Sequence, residues 1–144
     1  VAFLEKFRAI KVRLENNQAL QQFCQEKFGK QLKVLTVFKQ RTEIQMHDLP
    51  IVMITRPRVR REPQGNLSKK EHSVFLYAGF MSNDREQAPE LSIEFEEKLE
   101  EAVRRKTSHP DDRSFYIAPA DSSNDEGRFH PVYFLVIEFL IKDR

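Results

Sequence analysis

The segment "FHPVYFLVIEFLIKD", residues 129–143, constrains the fold most. Val132, Phe134, Val136 and Leu140 alternate with Tyr133, Leu135, Ile137, Phe139 and Ile141. Successive side chains of a strand point to opposite faces, so this strand is apolar on both. Helices can cover one face. The other needs a second layer or another subunit.

The helices are legible from spacing. Phe3, Phe7, Ile10 and Leu14 share one face of a helix over residues 2–15, with Lys6, Arg8, Lys11 and Arg13 largely elsewhere. Asn16 or Asn17 can cap a second helix over 18–28, whose face carries Leu20, Phe23, Cys24 and Phe28. Gly29 suits the left-handed position after its end. Residues 89–106 form the third helix. Leu91, Phe95, Leu99, Ala102 and Val103 make its stripe. Glu90, Glu94, Glu96 and Glu97 come early and Arg104, Arg105 and Lys106 late, which complements the helix dipole. Phe95 and Leu99 are expected to pack on the sheet, with Phe134 and Val136 among their partners.

Strand signals lie at "LKVLTVF", "DLPIVMITR", "EHSVFLYAGF" and "SFYIA". "QRTEIQMH" reads as a turn and a weak strand or loop. Ile51 to Thr55 is nearly all apolar, as in a central strand covered on both faces. In the return strand, Val74, Leu76, Ala78 and Phe80 oppose Phe75 and Tyr77. "DSSNDEGR" reads as an acidic hairpin turn. The order α-α-β-β-β-α-β-β indicates an α+β domain spanning 1–144. Its mainly antiparallel sheet is expected to pack against the acidic amphipathic helix and the N-terminal helices.

At 144 residues the chain suits one domain, able to bury about 70% of its unfolded surface without a disulfide or metal staple. Net charge is +2, so any affinity for nucleic acid must be local. The single Cys24 excludes an intramolecular disulfide and suits a reducing compartment. No apolar run approaches the roughly 20 residues of a membrane span, and no signal peptide is visible. Val1 stands where a Met would begin a chain, so residues are expected to be missing before it.

The residues offer no catalytic, cofactor or metal motif. Gly29, Gly65, Gly79 and Gly127 make no phosphate-cradling pattern. His47, His72, His109 and His130 have neither HxH nor HExxH spacing, and there is no CxxC, which argues against zinc. Cys24 with a nearby histidine could make a nucleophile and base, but its place beside Leu20, Phe23 and Phe28 reads as a small buried hydrophobe. His47–Asp48 could be an acid–base pair, and reads better as a turn before Pro50. The glutamates over 90–101 spread around their helix and read as a solvated face. "DSSNDEG" lacks the ligand alternation of a calcium loop. A composite site built from distant His and Asp residues is the one catalytic option left.

One stretch has strong surface character: "RPRVRREPQGNLSKK", residues 56–70. Arg56, Arg58, Arg60, Arg61, Lys69 and Lys70 face only Glu62. Pro57 and Pro63 exclude helix, and "PQGN" reads as a turn, so the stretch reads as the protruding tip of an antiparallel hairpin. It can be a plain solvated tip, a protein contact or a nucleic-acid contact. It lacks the interleaved aromatics that stack bases.

The motifs "DLPIVMITRP", "HSVFLYAGF" and "FYIAPADSSNDEGRFHPVYFLVIEFLI" together carry a resemblance. In their order and polarity the chain resembles the tail terminator proteins of long-tailed phages, especially the Mu-like prophage tail proteins, and more distantly the lambda tail terminator. The shared parts are Asp48-Leu49-Pro50, the hairpin 51–80, the acidic helix 89–106 and the hairpin 114–142, so the likeness covers nearly the whole chain. The helix at 18–28 departs from the simplest version. The resemblance implies a non-enzymatic structural protein without cofactors. Such a protein forms a hexameric ring that caps the tail tube and presents a surface to the head. Its partners would be further copies, tail-tube and head-connector proteins, with DNA contact secondary and no membrane. It would assemble in the bacterial cytoplasm and end in the virion tail. The basic hairpin would meet a neighbouring subunit or the tube. A nucleic-acid-binding α+β module using 56–70 is the alternative.

Overall fold

The computed structural model describes residues 2–61 and 70–143. Helices α1 (Phe3–Asn16) and α2 (Gln18–Phe28) lead into β1 (Lys33–Leu35). The hairpin of β2 (Ile51–Arg61) and β3 (Lys70–Met81), helix α3 (Ala88–Arg104) and the hairpin of β4 (Ile117–Asn124) and β5 (Val132–Asp143) follow. The strands make one sheet in the order β1-β2-β3-β5-β4. β1 runs parallel to β2 and the other pairs are antiparallel, as an α+β reading requires.

Local chemistry explains the helix ends. The Asn17 side chain accepts a hydrogen bond from the Leu20 N–H at 2.9 Å and so starts α2. Gly29 takes φ 76° after its last turn, a conformation that strains any residue with a Cβ. Pro89 sits in the first turn of α3, where its missing N–H has no helical acceptor to lose.

All three helices cover one face of the sheet. Ile10, Leu14, Leu20, Phe23, Cys24, Phe95, Leu99, Ala102 and Val103 meet Val52, Ile54, Val74, Leu76, Ala78, Phe80, Leu135, Ile137, Phe139 and Ile141. Phe95 is the aromatic centre. Its ring centroid lies 6.1 Å from that of Phe23, 5.5 Å from Phe28 and 6.0 Å from Phe80. Phe134 and Val136, expected as partners of Phe95 and Leu99, point the other way. The pleat gives the core face to Tyr133, Leu135, Ile137, Phe139 and Ile141, which are buried, and leaves Phe134 and Val136 half-buried on the opposite face.

That opposite face is partly roofed by the chain itself. A smaller cluster of Leu49, Ile51 and Met53 lies there with Leu35, Ile44, Tyr77 and Val132. The roof is the connection between β1 and β2. Where the sequence reads as a strand through Phe38, β1 stops at Leu35, because the chain leaves the sheet to cross this face. "QRTEIQMH" is not a weak strand. It forms two single-turn 3₁₀ helices, Arg41–Glu43 and Met46–Asp48, each closed by reciprocal capping hydrogen bonds. Gly79 is the strand position under this roof. A Cβ there would stand 3.0 Å from the Phe134 ring and 3.3 Å from Leu49.

Two other expectations change. β4 begins at Ile117 rather than Ser114, and Asp121–Asn124 belong to it. A register shift between Pro119 and Ser122 absorbs the irregular sequence, and the turn falls later, over 125–131. The basic stretch is also less of a loop than it reads. Arg56–Arg61 continue β2 and Lys70 opens β3. Pro57 is tolerated because it sits at a bulge between Thr55 and Arg58, beyond the last pairing of β1 with β2 at Met53. The turn "PQGN" and Lys69 lie outside the described residues.

Candidate interface at the basic hairpin and the open sheet face

The register assigns each basic residue a side. Arg58 pairs with Ser73 and Arg60 with Glu71, so both stand on the face away from the helices. Arg61 pairs with Lys70, on the helix side. Arg56, although exposed, reaches toward α1. Its guanidinium carbon lies 5.0 Å from the centroid of the Phe3 ring, and its Nη1 is 3.3 Å from His72 Nδ1. The Phe3 and His72 rings stack with centroids 3.9 Å apart, so Arg56 helps anchor the start of α1 to β3. The structure thus divides the cluster: Arg58 and Arg60 on one face, Arg61 and Lys70 on the other, Arg56 engaged with α1. Part of this charge has a plain physical use. β2 has no outer neighbour past Met53 among the described residues, and Arg and Pro on such an edge discourage unwanted strand pairing.

Next to Arg58 and Arg60 lies the unroofed part of the sheet. Phe75, Val136, Leu140 and Ala118 are half-buried there, with Ser73, Thr55 and Glu138. The roof closes the far end. Phe38 meets Tyr77 edge-on at 4.9 Å between centroids, and the Arg41 guanidinium lies 3.8 Å over Phe129 and 5.5 Å from Phe134. Of the cover expected over β5, a second layer or another subunit, the described residues supply a layer over one half of this face and none over the other.

The other candidate groups serve the fold. Cys24 is fully buried, and burial pushes its thiol up to about 12, which keeps it neutral at ordinary pH. Asp48 accepts from the Gln45 N–H and from Lys33 Nζ, both at 2.9 Å, and these bonds hold its carboxyl down at about 2. His47 Nε2 stands 3.6 Å from the same carboxylate, but Asp48 is occupied with closing its turn. Among the described residues no group of three His, Cys, Asp or Glu side chains could hold a metal ion. No helix there is long and apolar enough to cross a membrane. On α3, Glu90, Glu94, Glu97 and Glu101 form an exposed line on the side away from the core.

Sequence reading missed a buried ion pair. Arg13 Nε donates to Asp112 Oδ1 at 3.0 Å, with both side chains buried. Its Nη1 donates to the Val103 carbonyl at 2.7 Å and its Nη2 to the Arg113 carbonyl at 2.8 Å. The Val103 carbonyl lies in the last turn of α3, where it has no helical donor, so Arg13 caps α3 from α1. Burial pushes the Asp112 carboxyl up, but hydrogen bonds from Thr107 N–H, Arg13 and Thr107 Oγ1 outweigh it and leave it below its ordinary range. The signal was present in the spacing: Arg13 follows Ile10 by three positions, on the buried side of α1.

These elements define an α+β protein with a half-roofed sheet and a basic hairpin end. No family model matches the chain, and no curated protein matches it. Among solved structures, it is similar to a chain of the virion of a native gene transfer agent (GTA) particle. The likeness covers 94% of this chain and 92% of the other, with 7% identity and a TM-score of 0.57. At that identity the likeness establishes a shared fold.

Proposed function

We propose that the chain is a non-enzymatic structural protein of a phage or prophage virion. In this reading it forms a ring that caps the tail tube and joins it toward the head. The observation that carries the reading is a fold shared along nearly its whole length with a chain of a virion particle. The order of elements that resembles tail terminators is consistent with it. The half-roofed sheet face supports it too, because a lone domain leaves apolar strand surface there for a neighbour to cover. Cys24 and Asp48, the groups best placed by sequence for chemistry, are both engaged in the fold, which supports a role without catalysis.

The ring would have six copies by resemblance, with tail-tube and head-connector proteins as partners. It would assemble in the bacterial cytoplasm and be retained in the virion tail. Arg56, Arg58, Arg60, Arg61, Lys69 and Lys70 would serve a protein contact, with passing DNA secondary. The alternative, a nucleic-acid module using 56–70, draws on the same charges. The register separates Arg58 and Arg60 from Arg61 and Lys70, so a duplex lying on one face would meet only part of them. Cryo-electron microscopy of particles from the source strain tests the proposal. The expected result is density for a ring of this chain between tube and head. Particles that lack the chain would refute it.

A further inference from the structure

Two charged surfaces of this chain have no partner among its described residues. Among the described residues, the side chains of Arg58, Arg60 and Arg61 make no hydrogen bond or ion pair. On α3, Glu90, Glu94 and Glu97 are likewise without an ion pair, and Ile93 stands among them 59% exposed. Burial, together with the charges of Glu96 and Glu97, raises the carboxyl of Glu100 on the same helix, so the acids there repel one another. Arg58 and Arg60 lie on the face away from the helices and α3 on the other side of the sheet, so the two surfaces cannot meet within one copy.

We propose that α3 of one copy docks on the Arg58–Arg60 end of the open sheet face of a second copy. This contact rests on the ring reading and specifies how neighbours join. The spacings match. Arg58 and Arg60, two residues apart on a strand, stand about 7 Å apart. Glu90 and Glu94, or Glu94 and Glu97, stand about 5–6 Å apart on the helix. Beside Arg58 the sheet offers Leu140 and Phe75 as apolar ground for Ile93. Glu71 and Glu138 share this face, and Lys142 lies beside Glu71. The glutamate line therefore has to settle over the arginines, which fixes its register along the strands. The joined surfaces are different and lie on opposite sides of the molecule. The contact is head-to-tail and repeats from copy to copy, as a ring demands.

Disulfide trapping in the full chain tests it, since buried Cys24 does not compete. Ile93→Cys and Leu140→Cys proteins, mixed and oxidised, should give a crosslinked dimer. Neither should crosslink alone, and the double variant should give a ladder of multimers. Arg58→Glu with Arg60→Glu should cut the crosslinking rate by about tenfold or more. Adding Glu94→Arg and Glu97→Arg to the partner should restore it, which also shows that the reversed proteins are folded. Self-crosslinking of Leu140→Cys would show a face-to-face dimer and overturn the proposal, as would a mixture that never crosslinks. A ring on particles that is indifferent to both charge reversals would overturn this contact while leaving the ring reading intact. Trapping as expected, alongside particles that lack the chain, would do the reverse.

Discussion

Replacing Arg13 by Met removes the guanidinium and keeps much of the side chain's apolar bulk. The change leaves the buried Asp112 carboxylate with only its two Thr107 hydrogen bonds, and leaves the Val103 and Arg113 carbonyls without their Arg13 donors. It also removes the guanidinium from the Phe115 ring, whose centroid lies 4.4 Å away. Breaking a buried pair by removing one partner costs about 3–5 kcal/mol, chiefly because the other charge stays buried and uncompensated. We expect Arg13→Met to lower unfolding free energy by that amount in urea denaturation followed by circular dichroism, with an unchanged slope. Asp112→Asn should also destabilise. The double variant should lose less than the sum of the two, with a coupling of about 0.5–3 kcal/mol. A loss under about 1 kcal/mol for Arg13→Met, or singles that simply add, would refute the view that this pair ties α1 to the end of α3.

Phe95→Ala should cost about 3–5 kcal/mol by the same assay, because its ring is wholly buried among Phe23, Phe28 and Phe80; a loss under about 1 kcal/mol would mean the aromatic centre is misplaced. Asp48 and Asp112 both have folded pKa values below their unfolded ones, so their stabilisation is present above about pH 4 and is lost as pH falls toward 2. Denaturation midpoints measured across that window should drop, and Asp48→Asn with Asp112→Asn should flatten the drop; an unchanged slope would refute it. If the hairpin serves protein contact, binding of duplex DNA should be weak, with a log–log salt slope shallower than about −3. Tight, steeply salt-dependent binding abolished by Arg58→Glu, Arg60→Glu and Arg61→Glu would promote the nucleic-acid reading.

Much of the fold was legible because it rests on periodicity. The stripe of α3 through Phe95 and Leu99 and the alternation of β5 are direct consequences of 3.6- and 2-residue repeats. What alternation could not say is which face of β5 the helices take, since both are apolar. That choice depends on where β4 and the β1–β2 connection fall. The roof itself was invisible, because "QRTEIQMH" forms its 3₁₀ turns through side-chain caps rather than through a repeat. Asp121–Asn124 read as turn because polar composition outweighed pairing with β5, which tertiary structure supplies. Of the candidate site, the charge at 56–70 was plain in the sequence. Strand alternation divides Arg58 and Arg60 from Arg61, and the bulge at Pro57 sets which of them take the open face, which only the strand register reveals.

The role proposed for this chain is to end a tail and join it to a head. Deleting its coding sequence in a producing strain and imaging the released particles by electron microscopy tests that most directly. If the chain has this role, tails of uncontrolled, excessive length and heads left unjoined are expected, both corrected when the intact chain is supplied. Normal particles with tails of normal length would contradict it.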